Sequence, residues 1–137
     1  MNKLLIALPA LLLTIACNHA MAPDSGWADQ RWTVIEMRGV PVQLSGTNRD
    51  AYIVFTPGEK RFGGNGGCNH ISGNYTIDKK NIRFGEVIST KMACADINFE
   101  TTFLSTLDKV NHFEQKDNTT MLLKDGNEVL LILHRRG

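Results

Sequence analysis

The sequence predicts an α+β domain: a strongly curved, barrel-like antiparallel sheet with one packed α-helix at about residues 97–110. Three observations carry this prediction. Short runs rich in β-branched and aromatic residues follow one another from Arg31 to Arg135, separated by turn residues. A single stretch has helical periodicity. The last run is apolar on both faces, as in a strand covered from two sides.

The elements follow in order. "RWTVIEM" (Arg31–Met37) places Trp32, Val34 and Glu36 on one face of a strand and Thr33, Ile35 and Met37 on the other. Gly39-Val40-Pro41 reads as a turn. "AYIVFT" (Ala51–Thr56) is a strand, Pro57-Gly58-Glu59-Lys60 its hairpin turn, and Arg61–Gly64 the return. Asn74–Asp78 and Asn81–Thr90 are strands joined tightly at Lys79-Lys80. In "ADINFETTFLSTLDKV", Phe99, Phe103, Leu107 and Val110 are spaced by four, four and three, one face of a helix. Asp96 or Asn98 can cap its start, and Glu100 suits the first turn through the helix dipole. His112–Asp117, Thr119–Lys124 and Glu128–Arg135 close the chain as a meander, the last running beneath the helix. A sheet of about eight strands tends to curl toward a barrel.

The N-terminus is organised differently. Met1-Asn2-Lys3 is a short basic start, and Leu4–Ala16 is apolar but too short for a permanent span. Ala20-Met21-Ala22 offers the small residues of an ordinary cleavage site, but Pro23 follows it. The competing pattern is a bacterial lipobox, with cleavage before Cys17 and acylation of its thiol. Ile15 and Ala16 fit that pattern, whereas Thr14 stands where an aliphatic residue is usual. The expectation is a signal peptide over 1–16, a lipidated tether over 17–28 and one domain over 29–137. Asn18 rather than Asp after the cysteine points to the outer membrane. The protein is expected in the bacterial envelope, held to the membrane by its lipid and facing the periplasm.

Lys3 leaves with the leader, so the 15 basic residues fall level with the 14 acidic ones. A neutral balance gives no electrostatic reason to bind nucleic acid. With Cys17 assigned to lipid, Cys68 and Cys94 remain, either as a disulfide or as two buried thiols. An oxidising compartment favours the bridge. It would close a loop of about 27 residues and contribute roughly 3–4 kcal/mol in the chain-entropy model.

The densest feature is Gly63–Tyr75, "GGNGGCNHISGNY", with five glycines and three asparagines in thirteen residues. No Lys-Ser or Lys-Thr follows the glycines and no helix opens after them, so a phosphate loop is excluded. Cys68, His70, Cys94 and His112 lack the paired spacings of a structural zinc site. Cys68 and His70 can share a strand face, but nothing places a base or a carboxylate pair around a nucleophile. No catalytic residue, cofactor or metal is therefore expected. The glycines suit a sharp bend with close backbone approach.

"GGCNHISGNYTID" followed by "ISTKMACADINFETTFLSTLDKV" resembles the META domain of heat-inducible bacterial lipoproteins. The matching positions are Gly67, Cys68, Asn69, Gly73 and Tyr75, then Thr90, Met92, Ala93 and Cys94, then Glu100, Phe103 and Leu107. Trp32, Gly39, Pro41 and Val42 match the start of the family pattern, and the likeness runs from about Arg31 to Leu133. The resemblance implies a curved, barrel-like sheet with a packed helix, and an envelope role in heat or antibiotic stress. It brings no catalytic residues. The expected role is binding of a lipid tail between helix and sheet, or of an envelope protein at a strand edge. The alternatives are a thiol/disulfide redox protein and a purely structural stress protein.

Overall fold

A computed structural model describes residues 26–136. The expected leader over 1–16, the expected acylation site Cys17 and most of the expected tether lie outside the described residues.

Ten strands and one helix make up the described chain. The strands are β1 (Arg31–Met37), β2 (Val40–Pro41), β3 (Tyr52–Thr56), β4 (Arg61–Asn65) and β5 (His70–Asp78). After them come β6 (Asn81–Phe84), β7 (Ile88–Ser89), β8 (His112–Gln115), β9 (Thr120–Asp125) and β10 (Glu128–Arg135). The helix α1 (Asn98–Leu107) lies between β7 and β8, inside the stretch its periodicity predicts. Around the sheet the order is β1, β3, β4, β5, β6, β8, β9 and β10, and β10 pairs back onto β1. The wall is thus an up-and-down antiparallel meander closed into an eight-stranded barrel, with β2 and β7 as short additions. Closure removes the long open edges that invite unwanted pairing. One joint is narrow: β6 and β8 share only the register pair Asn81–His112. Two backbone bonds flank it, Ile82 N–H to Asn111 O and Phe113 N–H to Lys80 O.

Alternating residues fill the interior. Trp32, Val34, Ile53, Phe55, Leu123, Leu131 and Leu133 are fully buried. Phe55 and Tyr75 meet edge-to-face at 5.3 Å between centroids, and Phe62 and Phe84 at 5.1 Å. The gap among Trp27, Phe55, Ile77, Ile82, Phe113 and Met121 has no room for a water molecule. Around these side chains the barrel interior is tightly packed.

Both ends are plugged. At one end Trp27, 3% exposed, packs against Phe55 at 5.0 Å and Phe113 at 5.9 Å. Its carbonyl accepts the Trp32 indole N–H at 2.9 Å, and Asp29 N–H donates to Phe55 O. Trp27 falls in the stretch that the sequence assigns to the tether, yet it is part of the core. At the other end α1 lies across the opening. Phe103 and Leu107 are fully buried there, Thr106 Oγ1 accepts from Arg38 Nε at 2.8 Å, and Glu100 reaches the β4–β5 loop.

Several local expectations change. The turn after β1 is Arg38-Gly39, both at positive φ, and Val40–Pro41 form β2 against Met37 and Glu36. Asn81–Thr90 is two strands, broken after Phe84, with β7 shifted onto β5 beside Ile71 and Ser72. A bulge between Val34 and Glu36 ends the simple alternation of β1, and Trp32, Thr33 and Val34 are all buried. The Gly-rich run is mostly paired strand, because β5 begins at His70.

Replacing Trp27 with Ala removes the plug and leaves a large cavity. Urea unfolding of Trp27→Ala is expected to show a loss of about 3–5 kcal/mol. A tether residue would show a change within about 0.5 kcal/mol.

Candidate functional site

Two adjoining features gather at the helix end of the barrel: a buried polar lock and an open cleft. The lock starts from a chemical requirement. Glu100 is on the inward side of α1 and 3% exposed, and a buried carboxylate needs hydrogen-bond donors. The β4–β5 loop supplies them. Cys68 N–H and Asn69 N–H donate to Glu100 Oε2 at 3.1 and 2.7 Å, and Asn69 Nδ2 donates to Oε1 at 2.7 Å. The other half of the Asn69 amide faces the segment before the helix. Its Oδ1 accepts from Met92 N–H at 2.7 Å and from Thr90 Oγ1 at 3.1 Å. Thr90 Oγ1 in turn accepts from His70 N–H at 3.1 Å.

The loop must come very close to the helix for this. A Cβ on Gly66 would lie 2.6 Å from Glu100 Oε2, and one on Gly67 would lie 2.9 Å from Phe99 Cδ1. Gly67 also has φ of +110°, which side chains rarely adopt. Cys68 and Cys94 are bridged, with their Cα atoms 6.1 Å apart, and both are half-buried. The expected cap by Asp96 or Asn98 is not made: Ile97 holds the N-cap position without a side-chain cap bond, and Asp96, one residue earlier, accepts from Asn98 N–H at 3.1 Å in a tight turn.

The structure thus brings Gly67, Cys68, Asn69, Thr90, Met92 and Cys94 together. It leaves Gly73 and Tyr75 apart, further along β5, where Gly73 lies opposite Phe62 and Tyr75 joins the aromatic core. Met92 contributes its backbone N–H to the lock while its side chain is 56% exposed. His70 is exposed, and His112 sits in β8 beside Lys124. Among the described residues no three His, Cys, Asp or Glu side chains gather in a metal-binding group. The sequence signalled Glu100 only as a charge favouring the first helical turn; its partners lie 31 and 32 residues away.

The cleft was not signalled at all. It has a volume of about 430 Å³ and lies between β2, the 43–51 stretch and the start of α1. Met37, Val40, Val42, Ala51 and Phe99 form its apolar side, and Gln43, Ser45, Arg49, Asp50 and Asp96 its polar side. The signal available was Val40-Pro41-Val42, three apolar residues in what reads as an exposed turn. A second hollow of about 520 Å³ adjoins it, bordered by the Cys68–Cys94 bridge and sharing Arg49, Gly67 and Asp96. Asp50 organises the loop between them. Its carboxylate accepts from Ser45 N–H and Oγ, both at 2.7 Å, and from Gly46 N–H at 2.8 Å. Burial works to raise its pKa, but these hydrogen bonds and the Arg136 charge outweigh it and hold the group below its ordinary value. The Ser45–Asp50 contact thus belongs to the network that shapes this loop.

The lock behaves as one unit, since each partner left alone is a buried unpaired polar group. Glu100→Gln and Asn69→Ala are each expected to cost roughly 2–4 kcal/mol in urea unfolding. The double variant should lose less than the sum, with a coupling of at least about 1 kcal/mol.

Comparison with known proteins gives three results. The family model described as META domain matches residues 26–137, so its match, like the core, includes Trp27. An NMR structure of a protein from Burkholderia xenovorans superimposes with a TM-score of 0.62 at 19% identity, covering 90% of this chain and 97% of that one. A second NMR structure of a protein gives 0.59 at 17% identity, covering 77% of this chain and 88% of that one. At such identities the likeness shows the fold. No curated protein matches the chain. A closed barrel capped by a helix, the paired Gly-Cys-Asn and Thr-x-Met-Ala-Cys elements joined through Asn69 and the Cys68–Cys94 bridge, and a family match over this whole unit agree: the chain belongs to the META domain family.

Proposed function

We propose that the chain is a non-catalytic binding protein of the bacterial envelope, lipid-anchored through Cys17 in the outer membrane, facing the periplasm and serving in heat or antibiotic stress. One observation carries the binding part. The interior is packed solid, while the helix end has an open apolar cleft of about 430 Å³, within the usual range of about 300–1,000 Å³ for small-molecule sites. The apolar residues left exposed, Val40, Leu44, Ile88, Met92 and Ile97, belong to β2, β7 and the loops around that end. Val40 lines the cleft itself, and Met92 and Ile97 line a neighbouring hollow of about 300 Å³. The leader and Cys17 pattern in the sequence supports the anchoring.

A second reading has an observation of its own: the half-buried Cys68–Cys94 bridge borders a hollow wide enough to admit another molecule. Against redox chemistry, Asn69 and Glu100 hold the backbone on the Cys68 side, and Asn69 holds Met92 on the Cys94 side. That arrangement keeps the two cysteines together after reduction and favours re-closure.

Two measurements test these readings. The acylated full chain is purified from stressed envelopes beside Val40→Asp, and co-purifying lipids and proteins are identified by native mass spectrometry. A species bound to the parent and lost from the variant is expected; an identical empty result for both would sink the binding function. The reduction potential of the bridge is expected below about −300 mV, the range of structural disulfides, and a value near −200 mV would favour the redox reading.

A further inference from the structure

A separate, polar hollow of about 230 Å³ lies against the start of β1, beneath the loop that Asp50 organises. It shares only Asp50 with the apolar cleft and is independent of it. Two guanidinium groups border it, those of Arg31 and Arg136, against the single carboxylate of Asp50. Trp32 pairs with Arg135 across β1 and β10, so the next step of the ladder sets Arg136 opposite Arg31. Like charges directly opposite one another destabilise an antiparallel pair. Asp50 offsets only part of this, because Ser45 and Gly46 already donate to both of its oxygens. Two cations against one anion leave the lining with a net positive charge.

Arg31 is set in place beforehand. Its guanidinium lies over the Tyr52 ring, 3.8 Å from the centroid, and donates to Asn48 Oδ1 at 3.2 Å and Thr47 O at 3.3 Å. Those two bonds leave further N–H donors of the fork available, and a side chain already ordered loses less freedom on binding. Thr33 is an independent sign of a missing partner. It borders the hollow and is only 8% exposed, yet among the described residues its hydroxyl makes no hydrogen bond. A buried hydroxyl without a partner is costly.

Two guanidinium forks and a free hydroxyl thus border one small space. A tetrahedral phosphate presents oxygens to all three, whereas a planar carboxylate has only two to share. The volume falls below the usual range of about 300–1,000 Å³ for whole small-molecule ligands, which suits one phosphate group. We propose that this hollow binds a single phosphate group, either free phosphate or the terminal phosphomonoester of a larger molecule, between Arg31 and Arg136 with the Thr33 hydroxyl donating to it. The contact is non-covalent, and the rest of a larger ligand lies outside the hollow.

Residues 26–137 contain the closed barrel, both plugs and the whole family unit, so this segment serves for the test. It is titrated with inorganic phosphate and with phenyl phosphate at constant ionic strength, and amide NMR shifts are followed. Acetate is the planar control. Saturable one-to-one binding of the phosphates is expected, with shifts at Thr33, Gly46 and Thr47, and about tenfold weaker binding of acetate. Arg136 is exposed at the end of β10, so Arg136→Gln keeps the fold and is expected to weaken phosphate binding about tenfold. Thr33→Val is expected to weaken it severalfold while the urea midpoint holds or rises, since the hydroxyl supports nothing within the protein. A purely structural Thr33 would do the reverse, lowering the midpoint with phosphate affinity intact. Vesicles with phosphatidic acid, compared with phosphatidylcholine alone, form the lipid arm. Vesicle binding that depends on Arg136 identifies a lipid head group as the source, and binding of the dissolved phosphates alone identifies a soluble one. Lack of saturation in every arm, equal affinity for acetate, or affinity unchanged in both variants would overturn the proposal.

Discussion

The hydrogen bonds between Glu100 and the Gly66–Asn69 loop are the interaction on which this end of the molecule depends. A carboxylate removed from water is costly, and here three N–H donors from one loop meet it. That requirement fixes how close the helix lies to the loop, which in turn leaves no space for a side chain at residues 66 and 67. Asn69 then extends the same network to Thr90 and Met92, and so sets where Cys94 meets Cys68. The polar lock holds three pieces of chain, and the disulfide ties two of them, the loop and the segment before the helix. The bridge supplies a covalent limit on their separation, and the lock supplies their relative orientation.

The rest of the barrel makes a different use of burial. Its interior is occupied by aromatic and branched aliphatic side chains down to the scale of a water molecule, and each end has its own plug. Such a core confers stability, and the irregular stretches at the helix end provide concave surfaces outside it. A regular wall with an irregular rim is the usual division between scaffold and recognition.

How much of this could be read in advance follows from the range of each physical signal. Period-two alternation and helical spacing are local, so β3, β9, β10 and α1 were legible from a few residues each. Closure was legible only as a tendency, because it depends on β10 returning to β1 across about a hundred residues. The bulge in β1 was hidden, since Trp32-Thr33-Val34 alternates as well as any strand. Trp27 was hidden by its neighbours: a tryptophan among Pro, Ser and Gly has no periodicity to mark it as core. Glu100 was legible as a charge suited to the first helical turn and as a position of the family resemblance, but its burial against the loop depends on residues more than thirty positions away. Cys68 and Cys94 were legible as a pair because redox compartment and cysteine count are global properties, independent of the fold. The cleft was illegible for the opposite reason to the core. Its wall is made of residues from a turn, a loop and a helix start that share no pattern.

The narrow joint between β6 and β8 has a consequence for how the molecule moves. Most neighbouring strands share four or more register pairs, whereas these two meet at one. Local opening begins where the fewest bonds must break. The fewest backbone bonds of the wall therefore lie at this joint, while the β8–β9–β10 meander is joined to β1 along a full strand. The connection that spans the joint is the segment from Gly85 to Asn111, which carries both the disulfide and Glu100. The same residues that seat the helix also fasten this connection to the β4–β5 loop, so the weakest line of the wall is bridged from the barrel's end rather than from its core.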